Sequence, residues 1–131
     1  MMNSFKTFHN EILSELNSIL DVVRDYQKAF PILKELEKVL GEFMRLQGPK
    51  LYGALKARYS DDREAIKMLE FLEHDMNEMK LEFWSFLEEY SDHPAPIAIK
   101  NFPRRFLAFS ERVISRIKIE EEYFFPLLGC V

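Results

Sequence analysis

An all-α fold, an up-down-up-down antiparallel bundle of four helices, is what this sequence predicts, and three observations predict it. Apolar residues recur at spacings of three and four along four separate stretches, and no stretch shows the strict alternation of a strand. Glycine and proline are few, 4 and 6 in 131 residues, and they cluster between those stretches. The first three stretches are joined by short connections, which makes sequential neighbours antiparallel. The length suits a single domain over residues 1–131, and a 47% hydrophobic composition is enough to fill its core.

The first helix is expected over roughly residues 4–26, capped by Asn3 or Ser4. Its apolar stripe is Phe5, Ile12, Leu16, Ile19 and Val23, with His9 inside the stripe. The second is expected over roughly 31–58, opening on Pro31, a residue suited to a first turn. Its stripe is Leu33, Leu36, Leu40, Phe43 and Gln47, continuing to Leu51 and Ala54 past a kink at Gly48-Pro49. The third, over roughly 62–90, follows the capping run Ser60-Asp61-Asp62. Leu69, Leu72, Met76, Met79, Phe83, Phe86 and Tyr90 form its stripe. After the loop Ser91-Asp92-His93-Pro94-Ala95-Pro96 comes the fourth, over roughly 101–125, starting near Asn101-Phe102-Pro103. Its stripe runs Phe106, Phe109, Val113, Ile117, Glu120 and Phe124.

Composition excludes several functions. With 18 basic against 22 acidic residues the net charge is −4, and nucleic acid needs a basic face, so no nucleic-acid partner is expected. No run approaches the ~18 apolar residues of a membrane span, so no membrane partner is expected. The segment Met1-Met2-Asn3-Ser4-Phe5-Lys6 lacks the basic flank and apolar run of a signal peptide. One cysteine, Cys130, can form no internal disulfide, which favours a reducing compartment. A cytoplasmic location is the expectation. No nucleophile–base motif, glycine-rich phosphate loop or cysteine metal motif is present, so no catalytic residue and no enzymatic activity is expected.

Helical bundles build sites from polar residues on their inward faces. His9, Gln47 and Glu120 lie on the stripes, with Arg116 at the stripe's edge. Each has a plain structural explanation. His9 can be a core histidine bonded to a neighbouring helix, and Gln47 can satisfy backbone freed at the kink. His74 and His93 fall at solvent-facing positions. Glu120 is harder to set aside, because a buried carboxylate is costly unless paired, protonated or bound to metal. Arg116 stands one turn earlier on nearly the same face, within reach of an ion pair. Glu120 is therefore expected to touch Arg116, His9 or both.

The stripes, and above all Arg116-Ile117-Lys118-Ile119-Glu120-Glu121-Glu122-Tyr123-Phe124-Phe125-Pro126-Leu127-Leu128, resemble the hemerythrin-like family of HHE cation-binding domains. In that family a His on the first helix, a His-x-x-x-Glu on the second, a His on the third and a second His-x-x-x-Glu on the fourth hold two irons. Each His-x-x-x-Glu is followed by a Leu-Phe/Tyr-Pro stretch. Leu51-Tyr52-Gly53 is similar to the first such stretch, which puts Phe43 at the His position and Gln47 at the Glu position. Arg116 stands where the fourth helix has His, as the resemblance implies for a bacterial branch. His9 and Glu120 are the ligand positions the resemblance retains; Phe43, Gln47 and Arg116 occupy positions of lost ligands. On the third helix the seam leaves Leu72, Glu73 or Met76 nearest the core.

The resemblance implies a hemerythrin-like domain without its diiron site, with no cofactor, kept as a regulatory or interaction module for a protein partner. A residual metalloprotein would hold a single ion on His9, Glu120 and Glu73. An anti-sigma bundle of the regulator-of-sigma-D type is a further reading, because that family's last helix also resembles Arg116-Ile117-Lys118-Ile119-Glu120-Glu121. A histidine phosphotransfer domain using His74 lacks the small residue after the histidine that would admit a phosphodonor domain.

Overall fold

In the computed structural model the helices are α1 (Met2–Asp21), α2 (Tyr26–Leu46), α3 (Pro49–Arg58), α4 (Arg63–Glu89) and α5 (Pro96–Ile119). The structure describes residues 2–90 and 93–129, so Cys130 and the Ser91-Asp92 part of the last loop lie outside the described residues. α2 and α3 are two pieces of one arm, so the architecture is all-α with four helical arms and, among the described residues, no strand. None of these helices is long and apolar enough to cross a membrane.

Local chemistry explains most of the boundaries. Asp62 caps α4 by accepting a hydrogen bond from the Ala65 N–H at 3.1 Å. Asp25 does the same for α2, accepting from Lys28. That cap starts α2 five residues ahead of Pro31, so Pro31 sits inside the helix rather than in its first turn. The chain turns at 22–24, and the first helix stops at Asp21 instead of running to 26. α1 begins at Met2, and Asn3 lies inside it, accepting from Thr7 Oγ1 through its carbonyl. Pro96, not Pro103, supplies the first turn of α5. Buried Ala98 and Phe102 give that extra turn its apolar contacts, and Tyr90 Oη donates to the Ala98 carbonyl at 2.8 Å.

The break at Gly48-Pro49 has the largest structural effect. Gln47 ends α2 and Pro49 starts α3, because a proline has no N–H to continue the ladder. The restart shifts the helix phase, so Tyr52 and Leu55 are buried where the uninterrupted period points to Leu51 and Ala54.

The core has two unlike ends. At one, Tyr26, Phe86, Tyr90, Phe102, Phe106 and Phe109 pack ring against ring, with Phe86 stacked on Phe109 at 4.8 Å and Tyr26 edge-on to Phe102 at 5.1 Å. At the other, Phe5, Phe43, Phe124 and Phe125 enclose a group of charged and amide side chains. α5 also changes shape there. It passes into a π-helical turn at Glu120–Phe124 and then a 3-10 turn at Phe125–Leu128, ended by Gly129 at φ 73°.

Candidate functional site

The first half of α1 contributes His9 to this polar end, the C-terminus of α2 Gln47, α3 Tyr52, and the end of α5 Arg116 and Glu120. All five side chains are essentially shut off from solvent. Arg116 heads the largest fully buried side chains among the described residues.

Glu120 is the hub. Its Oε1 accepts from His9 Nε2 at 2.7 Å, and its Oε2 accepts from Arg116 Nε at 2.7 Å and Gln47 Nε2 at 2.8 Å. The same amide turns its oxygen to Tyr52 Oη and Arg116 Nη2, both at 3.0 Å. Arg116 is saturated. Its Nε binds Glu120, Nη1 donates to the Leu72 carbonyl at 2.9 Å and Asp75 Oδ2 at 3.0 Å, and Nη2 donates to Gln47 and Tyr52 Oη at 3.1 Å. A guanidinium has five N–H bonds, and each has an acceptor here. No buried side-chain nitrogen or oxygen among the described residues lacks a partner.

The network reaches the surface at both sides. His9 Nδ1 lies 3.4 Å from Glu121 Oε2, and Asp75 bridges Arg116 to Arg112, which also binds Glu82. The π-turn starts at Glu120 and is closed by a wide bond from the Phe125 N–H to the Glu120 carbonyl, and the consecutive aromatics Phe124 and Phe125 are both buried. Phe124 stacks on Tyr52 at 5.7 Å, and Phe125 stacks on His9 at 5.0 Å.

Burial opposes the Arg116 charge, yet attraction to Glu120 and the hydrogen bonds to Glu120 and Asp75 hold its pKa above the ordinary arginine value. Burial pushes the Tyr52 phenol far above the usual tyrosine range, against the pull of Arg116, so Tyr52 serves as a neutral donor and acceptor.

Sequence phase put His9, Gln47 and Glu120 on the inward faces with Arg116 at the edge, and led to Glu120 touching Arg116, His9 or both; the structure joins all four side chains. Glu120 contacts both Arg116 and His9. Gln47 is spent on Glu120, Tyr52 and Arg116 through its side chain, not on backbone freed at the break. Phe43 is buried and lies edge-on to His9 at 5.5 Å, a wall of the site rather than a participant. Glu73 stays outside, paired with Lys56 at 2.6 Å, so it cannot join His9 and Glu120 around one ion. His74 is exposed and pairs with Glu78 on its own helix, and His93 is exposed. Tyr52 and Asp75 are the members that sequence phase missed. Tyr52 was displaced by the phase shift at Gly48-Pro49, and Asp75 lies one position off the α4 seam, where the spacing of Arg112 and Arg116 on the facing helix is its only signal.

Among the described residues no group of three or more His, Cys, Asp or Glu side chains is placed to hold a metal ion. No family model, curated protein or solved structure matches the chain.

Proposed function

We propose that the chain is a divergent hemerythrin-like domain, an up-down-up-down antiparallel bundle in which a buried ion network has taken the place of the diiron centre. Its role is that of a non-enzymatic regulatory or interaction module of the cytoplasm. The observation that carries this reading is the saturation of Glu120 by His9, Gln47 and the Arg116 guanidinium. The arm order supports the bundle topology. Tyr26, Tyr90 and Phe102 meet at one end, and His9, Gln47 and Glu120 at the other.

The residues present do not fit the family's two irons. A metal ion needs free lone pairs on imidazole and carboxylate. Here His9 Nε2 points its hydrogen at Glu120, both Glu120 oxygens accept other donors, and Arg116 puts a fixed positive charge among them. Phe43 offers no donor atom, and the Gln47 amide oxygen is already shared by two donors.

Iron addition tests the proposal. Ferrous iron, added without oxygen and then exposed to air, is expected to leave the melting temperature unchanged, because only a ligand that binds the native state raises it. About two irons retained per chain, with the absorption of an oxo-bridged pair, would overturn the reading.

A further inference from the structure

The break at Gly48-Pro49 leaves a cavity as well as a change of helix phase. Where α2 stops and α3 restarts, a cavity of about 840 Å³ opens between them and the start of α1. That volume falls within the range of small-molecule sites, about 300–1,000 Å³. Its wall is mainly apolar, with buried Phe5 from α1, exposed Leu46 from the end of α2, and Leu51 and Ala54 from α3. Gly48 keeps its own part of the wall bare. Its backbone is extended, at φ −99°, which any residue adopts. A Cβ added there would meet the Arg45 carbonyl at 3.5 Å, an ordinary contact. The fold therefore does not require glycine at this position, and a side chain here would take up open space.

The charged groups that line the cavity are both basic, Arg45 and Lys50. Arg45 is held by Glu42, three residues earlier on α2, through its Nε at 2.9 Å. Lys50 is exposed and forms no ion pair among the described residues, so its charge is uncompensated. The segments around the cavity share this bias, in a chain of net charge −4. Residues 43–60 carry Arg45, Lys50, Lys56 and Arg58 without an Asp or Glu, and residues 1–10 carry Lys6 without an Asp or Glu. Of these, Lys56 is spent on Glu73 of α4.

We propose that this cavity binds a small amphiphilic anion, with an apolar body against Phe5, Leu46, Leu51 and Ala54 and a carboxylate or phosphate head at the Lys50 ammonium. The apolar wall gains by covering the body of any amphiphile. The uncompensated lysine then selects among them, attracting an anionic head and repelling a cationic one. The Ser4 hydroxyl, which also lines the cavity, can donate to the same head. Phe5 connects the cavity to the inside of the bundle. It packs edge-on against Phe43 at 6.0 Å and Phe124 at 5.8 Å, two of the rings that enclose the buried network. An occupant would brace the break between Gln47, which ends α2, and the helix that carries Tyr52. Binding here is independent of the iron reading, since His9, Arg116 and Glu120 do not line the cavity.

Titration calorimetry of the full chain with decanoate, decyl phosphate, decanol and decylamine, each below its micelle-forming concentration, tests the site. The expected result is saturable binding of one anion per chain, weakened by salt. Binding of either anion supports the site, and the tighter of the two names its head group. Decanol and decylamine share the apolar body and should bind about tenfold more weakly or worse. Lys50→Glu should raise the dissociation constant of the anion by about tenfold or more and remove its advantage over decylamine. Ala54→Trp should fill the cavity and block binding while leaving the melting temperature of the free chain unchanged, because Ala54 is exposed. No saturable binding of either anion would overturn the proposal. So would decylamine binding as tightly as decanoate, or anion binding that survives both substitutions unweakened.

Discussion

The two ends of this bundle solve the same packing problem with opposite chemistry. At the end lined by Tyr26, Phe86, Tyr90, Phe102, Phe106 and Phe109, contacts are ring on ring, and the Tyr90 hydroxyl finds a backbone carbonyl. Attraction there depends on area and shape, and one apolar group can stand in for another at modest cost. At the end holding His9, Gln47, Tyr52, Arg116 and Glu120, every contact has a direction and a charge or dipole behind it. Desolvating Arg116 and Glu120 offsets much of their attraction, so the network adds little net stability over an apolar core of the same volume. What it adds is intolerance of partial change. The aromatic end should degrade gradually on substitution, and the polar end should fail as a unit.

Arg116→Met is the most damaging change expected, because it leaves Glu120 buried without its cation. Its cost should be about 3–5 kcal/mol in denaturant unfolding. A loss under about 1 kcal/mol would mean that Glu120 is solvated or otherwise paired. Phe86→Leu at the other end tests the contrast. It removes the Phe109 stack but leaves an apolar side chain in place, so a loss of about 1–2 kcal/mol is expected. A loss as large as that of Arg116→Met would erase the distinction between the ends.

Tyr52→Phe is the smallest of these changes and sharpens the comparison through pH. At neutral pH it deletes the hydrogen bond to Gln47 and an acceptor of Arg116, at about 0.5–1.5 kcal/mol. The phenol holds its proton more tightly folded than unfolded, because burial raises its pKa. Its contribution is therefore complete below the unfolded value of about 10 and is lost as pH rises toward the folded value. Stability of the unaltered chain should fall as pH rises above about 10, and the Tyr52→Phe variant should fall less steeply. Equal slopes in unfolding experiments across that range would show that Tyr52 is not the buried phenol responsible.

Where the helix period ran unbroken, the sequence was a sound guide to the inside of the molecule. The α4 stripe from Leu69 to Tyr90 and the α5 stripe from Phe106 to Phe124 are buried along their whole length. The prolines misled, because Pro31, Pro96 and Pro103 look alike as helix starters and only Pro96 is one. Which proline opens a helix depends on what precedes it, and Asp25 as a cap outweighs Pro31. The site was legible for the same reason as the core. His9, Gln47 and Glu120 are polar residues in apolar phase, and Arg116 sits one turn from Glu120. Tyr52 and Asp75 were hidden because a broken helix and an off-seam position put them outside any simple period. The π-turn at Glu120–Phe124 leaves no mark in residue spacing that sequence phase could read.

That the buried charges form one closed unit, rather than a set of separate contacts, is tested most directly by a double-mutant cycle on Arg116 and Glu120. Arg116→Met and Glu120→Leu should each be costly alone, since each leaves the other's charge without its partner. The double variant replaces the pair by apolar groups of similar volume, and its unfolding free energy should recover much of the loss caused by Arg116→Met. Losses that simply add in the double variant would contradict the network.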